Sequence, residues 1–412
     1  MKKSSFTKYQ AFLITALAMM QFTIMMDFMI ISPLGAHLSR VLHITSAQFG
    51  LVVSAYAFSA GISGLITALF ADKYDRKQLL LFFYIGFIAG TIFCGMANSY
   101  PLLLISRIVT GIFGGVIAAI IYTIITDSFS YSVRGRAVSF VQMAFSVSQV
   151  MGIPLGLFLT DRFNWQVPFR VIAAVSIILL LIIIKWMIPV PKTASKSNGE
   201  SLKQFIKVLR SKAYQPAYFI SAILAIGGFL LMPYASIYLI NNVGIKESQL
   251  PLIYMAAGGC TVIATPLLGI LSDKIGKYKI FIAGSLMVIM MIAIYTNLPP
   301  STLITVIIVS CLLYIGVASR MISGMSVITA VPLQQQRGAF MSINASVQQL
   351  AGAIASLCGG LITYQKLNGE LVNFNILGDL IILLVIASFM LMYRIDRKLV
   401  PLEANGKHNV TP

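Results

Sequence analysis

Runs of about twenty apolar residues, separated by short polar stretches, recur along the whole chain. Twelve can be marked, at 10–36, 47–70, 78–97, 101–126, 137–160, 166–188, 214–240, 249–271, 278–297, 301–327, 338–363 and 374–394. Each is long enough to cross a hydrocarbon core about 30 Å thick as a helix. Backbone groups in lipid must be satisfied within the spanning structure, which leaves helices or closed barrels, and these runs are far too long for barrel strands. The pattern therefore predicts an all-α membrane protein with twelve transmembrane helices.

Composition agrees. The 412 residues are 58% hydrophobic and 10% charged, against about 25% charged in soluble domains. The net charge of +18 raises the question of nucleic acid, and its distribution answers it. With twelve spans and both termini on the cytoplasmic side, 23 of the 30 Lys and Arg residues fall in cytoplasmic segments and five (Arg40, Arg162, Arg170, Lys246 and Lys366) in external ones. Arg107 and Arg320 fall within spans. This is the positive-inside bias of a membrane protein, so the expected partner is a lipid bilayer and no nucleic acid. Met1-Lys2-Lys3 ahead of an apolar run is superficially a signal peptide, but the run is too long and lacks a small-residue cleavage site. It reads as an uncleaved first span.

Cys94, Cys260, Cys311 and Cys358 all fall inside predicted spans, and His37, His43 and His408 form no cluster. Neither a disulfide framework nor a metal site is expected, and no cofactor.

Between spans 6 and 7 the hydropathy breaks. Residues 189–213 form a polar linker in which Leu202, Phe205, Ile206 and Leu209 recur at helical spacing among basic residues. Two readings stand: an amphipathic helix on the inner membrane surface, or a partly ordered linker with a solvated basic face. On either side the sequence repeats. Ser146–Gly152 answers Ser346–Gly352 at an offset of 200, Arg134-Gly135 answers Arg337-Gly338 at 203, and Asp72 answers Asp273 at 201. Three landmarks at nearly one offset indicate two six-helix pseudo-symmetric halves, 1–188 and 214–412.

The third landmark is a charged hinge between spans, Asp72-Lys73-Tyr74-Asp75-Arg76-Lys77 in the first half and Asp273-Lys274-Ile275-Gly276-Lys277 in the second. It resembles the signature loop of the major facilitator superfamily, Gly-x-x-x-Asp-Arg/Lys-x-Gly-Arg/Lys. Gly269 and Gly276 complete the match in the second copy, whereas Ala68 and Asp75 depart from it in the first. The resemblance implies alternating access, with Asp72, Arg76, Asp127, Asp273 and Lys274 as gating residues: Asp72 facing the N-terminus of span 11, and Asp127 pairing with Arg76. Ordinary inner-surface charge with incidental pairing is the simpler alternative.

Among twelve acids, Asp27 alone sits well inside an apolar run. A carboxylate there is costly unless it faces a cavity or a partner, which makes it a functional candidate. It lies 16 residues beyond Ala11, about 24 Å from the inner face at 1.5 Å per residue. Arg107 is six residues past Pro101, about 9 Å below the outer face. The depths match, so Asp27 and Arg107 are expected to form a buried pair or shared polar site that couples transport to protons. Burial and a neighbouring guanidinium act on a carboxyl's proton affinity in opposite senses. Within the resemblance, Arg107-Ile-Val-Thr-Gly111 also falls on the family's span-4 motif, linked there to proton transfer. The competing reading is a carboxylate that caps or packs without titrating.

Arg320 has no acid in spans 7 to 11 to neutralise it. Either it snorkels to the cytoplasm, or it offers a positive charge to an anionic ligand. In span 5, Gly152, Pro154 and Gly156 resemble the antiporter signature of the drug:proton branch, which also contains sugar-efflux relatives; a kinked packing helix is the alternative. Tyr234, Tyr238 and Tyr314 are candidate substrate contacts, although such residues equally pack or face lipid.

Nothing here is enzyme-like: there is no intramembrane cluster of catalytic side chains and no Gly-x-x-x-x-Gly-Lys-Ser/Thr for ATP. The expectation is a secondary transporter, a monomer of a bacterial inner membrane, exchanging protons for small organic compounds moved outward. The alternative is a sugar or metabolite transporter of the same fold, including an uptake symporter.

Overall fold

The structure is a computed structural model that describes residues 6–68, 74–129, 131–189, 205–333 and 336–404. Among the described residues, twelve helices have the length and hydropathy of membrane spans. Spans 1 to 6 are Lys8–Ile30, Ser46–Thr67, Arg76–Met96, Tyr100–Ser128, Arg136–Arg162 and Val167–Trp186. Spans 7 to 12 are Gln215–Asn241, Glu247–Ile275, Lys277–Tyr295, Leu303–Ala330, Arg337–Ile362 and Phe374–Ile395. Alternate spans run in opposite directions. Span 1 begins, and span 12 ends, on what is here the termini face; the opposite side is the far face.

Local chemistry sets the ends. Span 1 opens with a reciprocal cap between Thr7 and Gln10, which satisfies donors that a helix start leaves free. Asp75 caps span 3 by accepting from the Lys77 and Gln78 amides. Span 8 stops at Gly276, whose φ of +104° is costly for residues with a Cβ. The first apolar run, expected to be continuous over 10–36, is divided: span 1 ends at Ile30 and a short helix, Gly35–Val41, follows. Pro33 lies between them, where it lacks an amide and disfavours helical backbone at the residue before it. Spans 11 and 12 are joined on the far face by a two-stranded hairpin pairing Tyr364 with Val372 and Gln365 with Leu371.

Three apolar clusters show how the halves meet. One lies wholly in the N-terminal half and contains Leu17, Tyr84, Ile117 and Ile183. A second lies in the C-terminal half toward the termini face, with Phe281, Ile328, Phe340 and Met392. The third occupies the far face and belongs to both halves, joining Phe49 and Trp165 to Tyr234 and Phe374. The halves touch mainly through span 2 with span 11 and span 5 with span 8. Of the linker, residues 205–209 are helical. Phe205 and Val208 are buried in the second cluster, while Ile206 and Leu209 are exposed. Leu202 lies outside the described residues.

Candidate functional site

Four spans of the N-terminal half converge on one buried ion pair. Span 1 supplies Asp27, span 4 supplies Arg107, span 3 supplies Thr91, and span 2 supplies Tyr56. Arg107 Nη1 donates to Asp27 Oδ2 at 2.8 Å and to the Asp27 carbonyl at 3.3 Å. Thr91 Oγ1 donates to the other carboxylate oxygen at 3.3 Å. The guanidinium lies over the Tyr56 ring, 4.6 Å from its centroid, a cation–π contact strengthened where water is excluded. Both side chains of the pair are 0% exposed. Arg107 Nε and Nη2 have no acceptor among the described residues, so the arginine retains donor capacity beyond the pair.

Small residues create this geometry. A Cβ on Gly111 would stand 2.4 Å from the Tyr56 carbonyl oxygen, so only glycine lets spans 2 and 4 approach closely enough to place Tyr56 beneath Arg107. From Tyr56 an aromatic series crosses to the other half. Phe28 lies 5.1 Å from Tyr56 and 5.7 Å from Phe229 of span 7, and Phe229 packs against Gly352 of span 11.

Span 5 flanks the site. Gly156 faces Ile30, where a Cβ would meet Ile30 Cδ1 at 2.3 Å, and Gly152 faces Met26. Ser148 Oγ donates to the Phe22 carbonyl at 3.4 Å. The small residues thus form the contact with span 1. Ser148–Gly152 is a π turn, in which the Ile153 amide reaches back to the Ser148 carbonyl; such bulges loosen a helix locally and gather at functional sites. Pro154 follows at once. On its opposite side the turn carries Gln149 and Val150 against Gly258 of span 8, so the motif sits at a seam between the halves.

The other candidates are dispersed. Arg76 Nε meets Asp127 Oδ2 at 3.3 Å near the termini face. Asp273 and Lys274 are exposed in the last turn of span 8, within the helix and not in a loop. Asp72 lies outside the described residues. Tyr234 is fully buried on the far-face side, donating to the Ser356 carbonyl and edge-on to Phe49, so it belongs to the seam between spans 2, 7 and 11. Tyr238 stacks on Phe374 at 4.3 Å and donates to the Leu298 carbonyl, inside the C-terminal half. Tyr314 lines a cavity of about 30 Å³ with Tyr254, Tyr295, Ser310 and Met232, large enough for one or two waters. Arg320 is buried between spans 9, 10 and 12, over Phe281 and beside Ser388.

Sequence reasoning misses Thr91, Tyr56, Phe28 and Phe229. A threonine, a tyrosine and two phenylalanines within apolar runs carry no linear signal; only the tertiary fold brings them to the pair. Polar contacts on the far face are likewise invisible along the chain. Arg40 pairs with Glu247 across the halves, and Ser236 Oγ donates to the Ser32 carbonyl at 3.3 Å.

Comparison with known proteins supplies context. The sequence profile of the Major Facilitator Superfamily matches twice, over residues 17–224 and 217–410. The uncharacterized MFS-type transporter YceJ of Bacillus subtilis (strain 168) is 27% identical over 281 residues, covering 68% of this chain and 70% of that protein. The solved structure of a bacterial homolog to the human lysosomal transporter Spinster, inward-facing and unoccupied, superposes with a TM-score of 0.71 at 17% identity, covering 95% of this chain and 96% of that one. A mutant of the nucleoside transporter NupG gives 0.74 at 12% identity, covering 93% and 99%. At these identities the two structures speak to the fold alone.

Proposed function

The chain belongs to the Major Facilitator Superfamily of transporters, and from that premise we propose that it is a proton-coupled antiporter exporting small organic compounds. The observation that carries the reading is the Asp27–Arg107 pair: among the described residues, Asp27 is the one buried acid, and it is held by a cation whose other donors are free. In the proposed cycle, Asp27 takes a proton when its surroundings open to water on one side of the membrane. That weakens its hold on Arg107, and the aromatic series through Tyr56, Phe28 and Phe229 passes the rearrangement to the other half. A buried ion pair is weak evidence for stability and serves better as a switch.

The far-face cluster shared by both halves supports a state closed on that side. We place the termini in the cytoplasm, on the strength of the basic residues gathered there, in the inner membrane of a bacterium, and take the protein to act as a monomer. The halves are 1–188 and 214–412 with a linker at 189–213, a division that the two profile matches support. The span-5 motif at the span 1 and span 8 contacts supports antiport. Arg76 with Asp127 on one face, and Tyr234 on the other, are the gating residues best placed to act.

The experiment uses proteoliposomes loaded with a pH-sensitive dye and a panel of neutral, cationic and anionic organic compounds. A transported compound is expected to drive proton movement opposite to its own flux. Asp27→Asn should abolish that movement while leaving binding measurable, and Asp27→Asn/Arg107→Gln serves where the single variant is unstable. Wild-type proton flux in either variant places the carrier elsewhere.

A further inference from the structure

The C-terminal half holds a second buried guanidinium, and this one has no carboxylate. Arg320 is 4% exposed and sits ten residues from the Ala330 end of span 10, about 15 Å into the helix. No acid among the described residues lies within ion-pair reach of it; the pairs found are Arg40–Glu247, Arg76–Asp127, Arg107–Asp27 and Lys366–Glu370. Its Nη2 reaches Ser388 Oγ at 3.5 Å, at the long limit of a hydrogen bond. The guanidinium lies 5.6 Å from the Phe281 centroid, and Nε has no acceptor. Unlike a buried carboxyl or amine, an arginine has no accessible neutral form. A permanent charge in a low-dielectric interior without a counter-charge is costly, so the site asks for an anion.

A second unsatisfied group stands nearby. Ser285 Oγ is fully buried with no partner among the described residues. It lies one turn beyond Phe281 on span 9, next to Gly284, where spans 9 and 10 approach so closely that a Cβ would meet the Arg320 amide nitrogen at 3.3 Å. Ser388 is already spent, since its hydroxyl donates to the Val385 carbonyl at 2.6 Å and therefore can only accept from Arg320. That leaves Arg320 Nε and the Ser285 hydroxyl without partners where spans 9 and 10 come together. A fixed positive charge with a free N–H, and a hydroxyl able to donate, suit an anion and repel a cation.

We propose that Arg320 and Ser285 bind a small monovalent anion between spans 9, 10 and 12, with Ser388 holding the guanidinium in place. The shared chemistry is a compact negative acceptor, either a halide or the carboxylate of a small organic acid. The proposal stands independently of proton coupling at Asp27.

The test is thermal unfolding of the purified full-length protein in detergent at constant ionic strength. Chloride or acetate replaces the bulky anion 2-(N-morpholino)ethanesulfonate stepwise. The wild type should show a saturable rise of several degrees in Tm, as expected when a ligand binds only the folded state. Arg320→Gln should lose that rise. Ser285→Ala, a small change that the fold should tolerate, should raise the half-saturating concentration about tenfold for the loss of one hydrogen bond to a charged ligand. Saturation by chloride identifies a halide-type site, and saturation by acetate alone a carboxylate site. A wild-type Tm indifferent to all three anions overturns the proposal. So does an undiminished rise in Arg320→Gln, or an unchanged half-saturation point in Ser285→Ala.

Discussion

At the scale of single residues, the two members of the Asp27–Arg107 pair are not equivalent. Removing either leaves a buried charge, but a lone aspartate can take up a proton whereas a lone arginine cannot lose one. Asp27→Asn is therefore expected to destabilise the protein by about 3–5 kcal/mol, the usual result of orphaning a buried charge. Arg107→Gln should cost less, and Asp27→Asn/Arg107→Gln should recover part of the loss. Denaturation of the three variants in one detergent measures this; equal losses in both single variants would contradict it. A second prediction concerns His37, in the short helix after span 1. Partial burial, and then the nearby Arg40 charge, hold its pKa below the usual 6.5, with Asp161 opposing weakly. The unfolded chain therefore binds a proton that the folded chain resists, and stability should fall as pH drops below about 6.5. His37→Gln should flatten the Tm-versus-pH curve between that value and the lower folded pKa, and an unchanged curve would assign the acid sensitivity to other groups.

At the scale of elements, close helix contacts rather than hydrophobic burial organise the bundle, because lipid is as apolar as the side chains it would replace. The sequence shows Ser148, Gly152 and Gly156 at four-residue spacing; the structure shows what they receive, which is Phe22, Met26 and Ile30 of span 1. This contact leads directly to Asp27, which sits between Met26 and Phe28. Gly156→Val is expected to push span 1 aside at Ile30, lowering stability by about 1–3 kcal/mol, as overpacking does. It should also impair proton coupling more than ligand binding. A variant with wild-type stability and coupling would mean that the spans separate there without consequence. The repeat does not extend to this device: Ile354 stands where span 5 has Pro154, and span 11 is an unbroken α-helix from Arg337 to Ile362.

For the whole molecule, the question is how two halves rock about a shared seam. Spans 2 and 11 pack together from Gly50 and Gly360 near the far face to Gly64 and Ser346 toward the termini face. The far face is further held by Tyr234, by Ser236 on Ser32, and by Arg40 with Glu247. An exposed ion pair of this kind is worth about 0–1 kcal/mol, so it biases the closed state without locking it. Alternating access requires these contacts to part. Cysteines at Ser32 and Ser236, in a background lacking the four native cysteines, should cross-link under oxidation and stop transport, with recovery on reduction. Undiminished transport in the cross-linked protein would show that the far face stays closed throughout the cycle.

Twelve spans, their alternation and the internal duplication are legible in the chain because each is a local or periodic property: apolar run length, charge bias between loops, and a recurring offset. The Asp27–Arg107 pair was legible for a similar reason, since depth along two helices is set by a fixed rise per residue and ionisable residues inside apolar runs are few. What lies around a helix is different. Rotation and neighbour are decided by packing, so Thr91, Tyr56 and the Phe28–Phe229 contact emerge only when four spans close on each other. The same holds for the tyrosines: three equivalent-looking residues became a seam contact, a buried stack and a cavity wall. Arg320 shows both sides of the division. That spans 7 to 11 hold no acid to neutralise it could be read along the chain, but the close approach of span 9 at Gly284, which brings the unpartnered Ser285 hydroxyl into the same region, exists only in three dimensions.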